Sequence, residues 1–428
     1  MPLLYDLGTR CYHLGIRLAA PFVPKAKQWV SGRKGSWERL AAVQEKVNGC
    51  IWMHCASVGE FEQGLPVLET IKKAHPHIPV LLTFFSPSGY DARKNHPIAD
   101  HVEYLPPDGR VNAERLYALV KPRIALFVKY EFWYHHLTTL HHHHVPLFLI
   151  SGTFRTDQPF FKWYGSTHRA MLATYTHLFV QDEKSRALLA SIGKTNVTVA
   201  GDTRFDRVAE IAANDPALPI AKAWKGELPL LVCGSTWPAD EELINAAAPN
   251  YKLIVVPHEL SDTHLAQIEA KFPKPLVRWS ELEGSPVQSI ADVLGKERSG
   301  TLLVDRMGLL ARFYAYADIV YLGGGFGDGI HSLLEAVAWG KPVIFGPNHT
   351  KFVEANALIE AGAGFEVRSS AELKTVLERL NGDPKELRAV SAIAMTYVQQ
   401  HVGATTKITA FILPVLENGS GDRSSVQR

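Results

Sequence analysis

The amino-acid sequence predicts an α/β fold of two Rossmann-like domains facing across a cleft. Short apolar runs alternate with helical stretches along most of the chain, the pattern of parallel sheets covered on both faces. The alternation pauses once, over residues 206–228. At 428 residues the chain is too long for one core and comfortable for two.

The candidate strands of the first half are Ile51–His54, Val80–Phe84, Val102–Leu105, Ile124–Val128, Leu147–Ile150, Leu178–Val180 and Val197–Ala200, separated by helical stretches such as Glu60–Lys73 and Ala113–Val120. The pause holds Asp215-Pro216, Pro219 and Gly226, and strands resume at Leu230–Cys233, Leu253–Val256, Leu302–Val304, Ile319–Leu322 and Val343–Phe345. The expected division is an N-terminal domain over 41–210 and a C-terminal domain over 211–416. Residues 417–428 are polar and Gly/Ser-rich, and disorder is expected there.

Residues 1–40 form a distinct segment. Leu3, Leu4, Tyr5, Leu7, Tyr12, Leu14, Ile16 and Leu18 are interrupted by Arg10 and Arg17 and trailed by Lys25, Lys27, Arg33 and Lys34. No run reaches the roughly 20 apolar residues of a membrane span, and the pattern lacks the apolar core and cleavage site of a signal peptide. It suits a helix lying in a membrane surface or one packed on its own domain.

Composition excludes several classes. Hydrophobic residues at 46% and charged residues at 21% exclude wholesale disorder. A net charge of +2 gives no global reason to expect a nucleic-acid partner. Four irregularly spaced cysteines, Cys11, Cys50, Cys55 and Cys233, make no disulfide framework and fit a reducing cytosol. The tract His141–His144 is read as surface loop, because four adjacent side chains cannot converge on one ion from ordinary backbone. No metal and no cofactor is expected.

In open parallel sheets, ligands sit beyond the carboxyl ends of strands, and the chemical motifs fall there. His54-Cys55-Ala56-Ser57-Val58-Gly59-Glu60 follows the first strand. Its small residues turn the backbone into a helix and set Glu60 near the helix N-terminus. There a carboxylate accepts a proton from a sugar hydroxyl, or merely complements the helix dipole. Free N–H groups at that end favour its ionised form. Glu131, in Lys129-Tyr130-Glu131-Phe132-Trp133, is either sugar-facing or a structural acid bonding loop amides. Ser151 and Arg155, in Ser151-Gly152-Thr153-Phe154-Arg155, and Arg204 are further polar candidates. In the second half, Gly234-Ser235-Thr236 opens a helix and forms a candidate anion site. The most specific string is Gly323-Gly324-Gly325-Phe326-Gly327-Asp328-Gly329-Ile330-His331-Ser332-Leu333-Leu334-Glu335. Its backbone N–H groups suit a phosphate, and Glu335 lies one helical turn past His331. Asn348 and Lys351 on the next loop are candidate additional contacts.

Together these strings resemble the 3-deoxy-D-manno-octulosonic acid (Kdo) transferases. The resemblance rests on the His-x-Ala-Ser-hydrophobic-Gly-Glu loop at His54–Glu60, on Glu131 with Trp133, and on Gly234–Thr236. It rests also on Leu310, Tyr314, Ala317 and Asp318, on Leu334-Glu335-Ala336 and on Pro342-Val343-Ile344-Phe345-Gly346-Pro347. It runs from about Trp52 to Phe352. Departures are Ser332 where the family often has Asn, Arg204 where it often has Lys, and Pro257-His258-Glu259 for a Pro-Arg-His segment.

The resemblance implies a GT-B-type, inverting, metal-independent glycosyltransferase that moves Kdo from CMP-Kdo to a lipid A precursor in lipopolysaccharide inner-core biosynthesis. It implies a place on the cytoplasmic face of the bacterial inner membrane. Glu60 would be the catalytic base. Ser57, Gly59, Glu131, Ser151, Arg155 and Arg204 would meet the sugars on the acceptor-binding domain. Gly234, Ser235, Thr236, Pro257, His258, Gly324, Gly325, His331, Ser332 and Glu335 would hold the nucleotide. The alternative is another two-domain nucleotide-sugar enzyme, a UDP-sugar transferase or a UDP-GlcNAc 2-epimerase.

Overall fold

The protein was analysed as a computed structural model, which describes residues 2–214, 217–249, 251–287, 290, 299–331 and 333–418. Ser332, the Asp215-Pro216 pair of the expected boundary, and residues 419–428 of the expected tail lie outside the described residues. The chain divides into two compact units: Met1–Arg207 with Val402–Arg428, and Val208–His401.

The first unit carries β1 (Ile51–Cys55), β2 (Val80–Phe84), β3 (His101–Tyr104), β4 (Ile124–Val128), β5 (Leu147–Gly152), β6 (His177–Val180) and β7 (Val197–Val199). They form one sheet in the order β3-β2-β1-β4-β5-β6-β7. Every pairing is parallel. Alternate residues of each strand enter opposite cores. Ile51, Met53 and Cys55 share one core with Ile124, Leu126 and Val128, while Trp52, Ala125 and Phe127 enter the other. Burial on both faces is why these strands read as unbroken apolar runs. The strand order reverses between β1 and β4, and such switch points are where doubly wound sheets open a crevice.

The second unit carries β8 (Leu230–Thr236), β9 (Lys252–Pro257), β10 (Leu276–Arg278), β11 (Gly300–Leu303), β12 (Ile319–Leu322), β13 (Val343–Phe345) and β14 (Gly364–Glu366). Their order is β10-β11-β9-β8-β12-β13-β14, again parallel throughout. Here the switch point lies between β8 and β12. The sequence reading lacks β10 and β14. Both are three-residue edge strands, largely part-buried, so neither carries an apolar run.

One assignment is corrected. Residues 404–416 are expected in the 211–416 domain and 417–418 in the tail, but helix Ala404–Asn418 belongs to the first unit. Ala404, Ile408, Ile412 and Leu416 line one face of the first sheet's core. Their spacing shows an apolar stripe but not which sheet it covers. Asp206 fixes the return of the chain. Its carboxylate accepts from the Gly403 N–H at 2.5 Å, the Thr405 N–H at 2.6 Å and the Thr405 hydroxyl at 2.7 Å. It thereby satisfies donors at the start of that helix, as an N-cap does.

The N-terminal segment is helical over Pro2–Ala19 and Pro24–Gly32 and is joined to the first unit on one side. Tyr5 donates to Asp108 at 2.6 Å, and Asp6 meets His135 Nε2 at 2.5 Å. Its other side leaves Leu3, Leu4, Leu7, Leu14, Leu18 and Phe22 exposed. Among the described residues no helix is long and apolar enough to cross a membrane.

Replacing Asp206 with Ala should destabilise the first unit by about 1–2 kcal/mol and speed amide exchange selectively in residues 404–418. Hydrogen–deuterium exchange read by mass spectrometry checks this. Unchanged protection of that helix would show that apolar packing alone holds it.

Candidate active site

The motifs of the first unit sit at its switch point, on the loops that leave β1 and β4. Ser57 caps helix Val58–Ala74, its hydroxyl accepting from the Glu60 N–H at 3.4 Å. The Ala56 N–H donates to Glu60 Oε2 at 2.5 Å. The Ser57 cap and the Ala56 amide, one residue before the cap, together hold Glu60 at the helix start. Gly59 stands exposed beside it. The N–H contact favours the ionised carboxylate, as the sequence suggests. Burial and the neighbouring Glu131 charge outweigh it, with Lys129 opposing, and the Glu60 carboxyl is pushed up to about 7.

Glu131 is buried, and two N–H donors meet on its Oε2. His54 Nε2 lies at 2.8 Å and Trp133 Nε1 at 2.7 Å. The Tyr175 hydroxyl donates to the Glu131 carbonyl at 3.1 Å. His54 Nδ1 lies 2.9 Å from Thr83 Oγ1, which accepts from Trp52 Nε1 at 2.8 Å. His54 Nδ1 also lies 3.1 Å from the Thr83 carbonyl, so the ring spans both Thr83 oxygens and the Glu131 carboxylate. The sequence leaves Glu131 either sugar-facing or bonded to loop amides. The partners are side chains from β1 and from its own loop, and not loop amides. His54, 77 residues away from Glu131, was seen in the sequence only as the head of a motif.

The other first-unit candidates lie on neighbouring strand ends. Ser151 is fully buried, and its hydroxyl is 3.0 Å from that of Thr203. Arg204 places Nε and Nη2 on Asp202 Oδ2 at 2.8 and 2.6 Å. Arg155 is exposed, pairs with Asp157 at 3.6 Å and lies over the Tyr130 ring. Lys129 and Ser151 adopt left-handed backbone, at φ 64° and 54°. Such conformations are costly for a residue with a Cβ and gather at functional sites. Lys129 was passed over in the sequence, although its motif was quoted. His143 of the histidine tract pairs with Glu114 at 3.1 Å and stacks on Tyr117.

The second unit repeats the arrangement at β8 and β12. Gly234, Ser235 and Thr236 end β8, with Ser235 left-handed at φ 53°. Thr236 is buried and donates to Glu241 at 2.9 Å, and Glu241 meets His264 at 2.9 Å. Asp240 joins the two loops. It accepts from the Trp237 N–H at 3.0 Å, the Gly324 N–H at 2.9 Å and the Tyr321 hydroxyl at 2.9 Å. The Gly324 amide, one of the glycine-loop N–H groups expected for a phosphate, is already used by a carboxylate. A Cβ on Gly323 would strike the Ser235 carbonyl, and one on Gly324 (φ 89°) the Gly329 carbonyl. Close backbone packing therefore demands these glycines. Gly325 packs against Gly346, and its carbonyl accepts from the Asn348 N–H at 2.8 Å. The Asn348 side chain donates to the Gly327 carbonyl at 2.9 Å.

Three rings line the ends of β8, β9 and β12. Trp237 stacks on His258 with centroids 4.7 Å apart, and His258 stacks on His331 at 5.1 Å. His258 follows Pro257, which ends β9. Burial and His258 lower the pKa of His331. Glu335, part-buried, lies near enough to the buried Tyr314 hydroxyl to help raise that phenol's pKa, after burial. The structure thus brings His258 and His331 together and adds Trp237, Asp240 and Tyr314. Among the described residues there is no group of three His, Cys, Asp or Glu that could hold a metal ion.

Residues 34–207 match the family model described as 3-deoxy-D-manno-octulosonic-acid transferase (kdotransferase). The chain is similar to the 3-deoxy-D-manno-octulosonic acid transferase of Aquifex aeolicus strain VF5, at 29% identity over 79% of this chain and 88% of that protein. It is similar to the protein of the same description from Bordetella pertussis, at 26% identity over 94% of this chain and 98% of that one. Among solved structures it resembles the UDP-GlcNAc 2-epimerase of Neisseria meningitidis bound to UDP-GlcNAc. The TM-score is 0.56 at 15% identity, over 86% of this chain and 99% of the other. That last likeness is one of fold alone.

Glu131→Gln keeps an oxygen for His54 and Trp133 and removes only the charge. The Glu60 pKa should then fall below about 7, while burial holds it above the ordinary 4.5. Carboxyl carbon NMR titration, with Glu60→Gln to assign the signal, checks this. An unmoved titration would mean that burial alone sets the value.

Proposed function

Membership of the Kdo transferase family is the premise from which we propose that the chain moves Kdo from CMP-Kdo to a lipid A precursor. The observation that carries the mechanism is the half-buried Glu60 carboxyl, poised near neutrality at the switch point of the first sheet. A base whose pKa lies near the working pH is both deprotonated often enough and basic enough to take a hydroxyl proton.

The acceptor hydroxyl attacks the anomeric carbon of Kdo as Glu60 takes its proton. The new carbon–oxygen bond forms as the bond to the CMP phosphate breaks, and the configuration inverts in that single displacement. The bonded pair leaves with the phosphate oxygen, and CMP departs as a phosphate monoester. Positive charge grows on the sugar in an oxocarbenium-like transition state, and negative charge grows on the leaving phosphate. No step is routed through a metal. His54 and Trp133 position Glu131, and the Glu131 charge keeps the Glu60 carboxyl basic.

The donor falls to the second unit. The Trp237–His258–His331 stack supplies flat faces for a ring, and a phosphate beside the two imidazoles would favour their protonated, donating forms. Ser235 and Glu335 supply hydroxyl and carboxylate contacts. The exposed leucines of helix Pro2–Ala19, with Arg10 and Arg17, suit a membrane surface that carries the lipid acceptor. The exposed leucines support a peripheral position for the enzyme on the cytoplasmic face of the inner membrane.

Glu60→Gln should lower kcat by about 10²–10⁴-fold while leaving CMP-Kdo affinity within about twofold, since the base acts on the acceptor. Single-turnover transfer to tetraacylated lipid A precursor, with calorimetry for the donor, reads both. Near-normal turnover in the variant would remove Glu60 from the mechanism.

A further inference from the structure

A cavity of about 290 Å³ opens in the first unit between residues 169–173 and 192–196. Its place in the sheet sets it apart from the candidate active site. Residues 192–196 lead directly into β7 at Val197, and helix Ser166–Ala173 precedes β6 at His177. The cavity therefore lies at the amino ends of these parallel strands, while Glu60 and Glu131 follow the carboxyl ends of β1 and β4. No step of the proposed transfer uses it.

The walls are fixed by the backbone. Helix Glu183–Ala190 is followed by a turn at Gly193, which is left-handed at φ 78°. The Gly193 N–H donates to the Ala190 carbonyl at 3.0 Å and the Lys194 N–H to the Leu189 carbonyl at 3.0 Å, which closes the turn. Asn196 ties the end of the loop down, its side-chain amide donating to the Tyr175 and Thr176 carbonyls at 3.0 and 2.8 Å. Arg169 is held through one nitrogen. Its Nη1 donates to the Phe160 and Lys162 carbonyls at 3.1 and 2.9 Å, and its Nε and Nη2 meet no acceptor among the described residues.

Lys194 is part-buried, and its ammonium makes no hydrogen bond or ion pair among the described residues. Burial lowers its pKa, and its charge helps lower that of His177, after burial. Neither an acid nor an aromatic ring lines the cavity, and Leu172, Ala173 and Ile192 supply the apolar part of the wall. Two cations without a counter-charge in one partly desolvated hollow favour an anion there.

We propose that this cavity binds a small, soluble phosphate monoester, with Arg169 and Lys194 on the phosphate and a short carbon chain against Leu172 and Ile192. A phosphate dianion offers acceptors alone, which suits a guanidinium with two unused nitrogens and an unpaired ammonium. The lining gives no carboxylate for a hard metal cation and no aromatic face for a nucleobase. The volume lies at the small end of the roughly 300–1,000 Å³ of ligand pockets, which fits a few carbons beyond the phosphate. The site stands at the end of the sheet away from Glu60, so its ligand is neither the donor nor the acceptor of the transfer.

Full-length protein labelled at its lysine ε-carbons and histidine rings is titrated by NMR with inorganic phosphate and with glycerol 3-phosphate. Ionic strength is held constant with chloride. The Lys194 signal, assigned with Lys194→Met, should shift saturably, and its pKa should rise. The His177 pKa should rise with it, because a bound phosphate offsets the Lys194 charge. Glycerol 3-phosphate should bind about fivefold tighter than inorganic phosphate, through the carbon chain it covers. Arg169→Gln should weaken binding about tenfold, with partial rescue in Arg169→Lys, and Lys194→Met, read at His177, should weaken it about as much. Thermal melting shows whether each variant is folded.

A Lys194 signal that moves no more with the phosphates than with chloride would overturn the site. Unchanged affinity in folded Arg169→Gln and Lys194→Met would do the same, since the shift would then arise elsewhere. Inorganic phosphate binding as tightly as glycerol 3-phosphate would overturn the monoester in favour of free phosphate. A shift with phosphatidic acid vesicles and none with either soluble probe would make the ligand a lipid headgroup and overturn a soluble one.

Discussion

Two carboxylates stand at the carboxyl ends of adjacent strands, and burial, followed by the Glu131 charge, raises the proton affinity of Glu60. Glu131 accepts two N–H bonds on one oxygen, from His54 and Trp133, and that anchorage is what its charge requires in a buried place. Glu60 feels that charge in addition to its own burial, and one amide bond does not offset both. The split of roles follows from environment alone. One acid is held by two N–H donors, and the other is pushed up to about 7.

The same economy of position appears in the second unit. Its loops meet at the end of β8 and β12 because Asp240 ties the Trp237 and Gly324 amides to one carboxylate. The glycines there are required by backbone meeting backbone. Beyond those two amides, the same strand ends carry Ser235 and the stacked Trp237, His258 and His331. These groups follow strand ends of a packed sheet, where positions are held better than on free loops.

Much of this was legible in the sequence, for reasons that are physical. Buried parallel strands are apolar on both faces, so β1, β4, β8 and β12 announce themselves, and the site motifs are the segments that follow them. What was not legible depends on distance in the chain. No local pattern joins His54 to Glu131. The stripe Ala404, Ile408, Ile412 and Leu416 signals a helix face without saying which core receives it. Ser151, Thr236 and Arg204 have the chemistry of ligand contacts, yet their polar atoms are engaged by Thr203, Glu241 and Asp202. Residue type gives capacity to bond, and only the fold says with whom.

The Glu60 carboxyl is pushed up to about 7, near neutral pH, and the pH dependence of kcat/KM for Kdo transfer tests its proposed role as the base most directly. Glu60 must be ionised in the free enzyme to accept the hydroxyl proton, so activity should rise with unit slope through acidic pH and level off near about 7. A profile flat between about pH 5 and 8, measured where chemistry limits the rate, would contradict it.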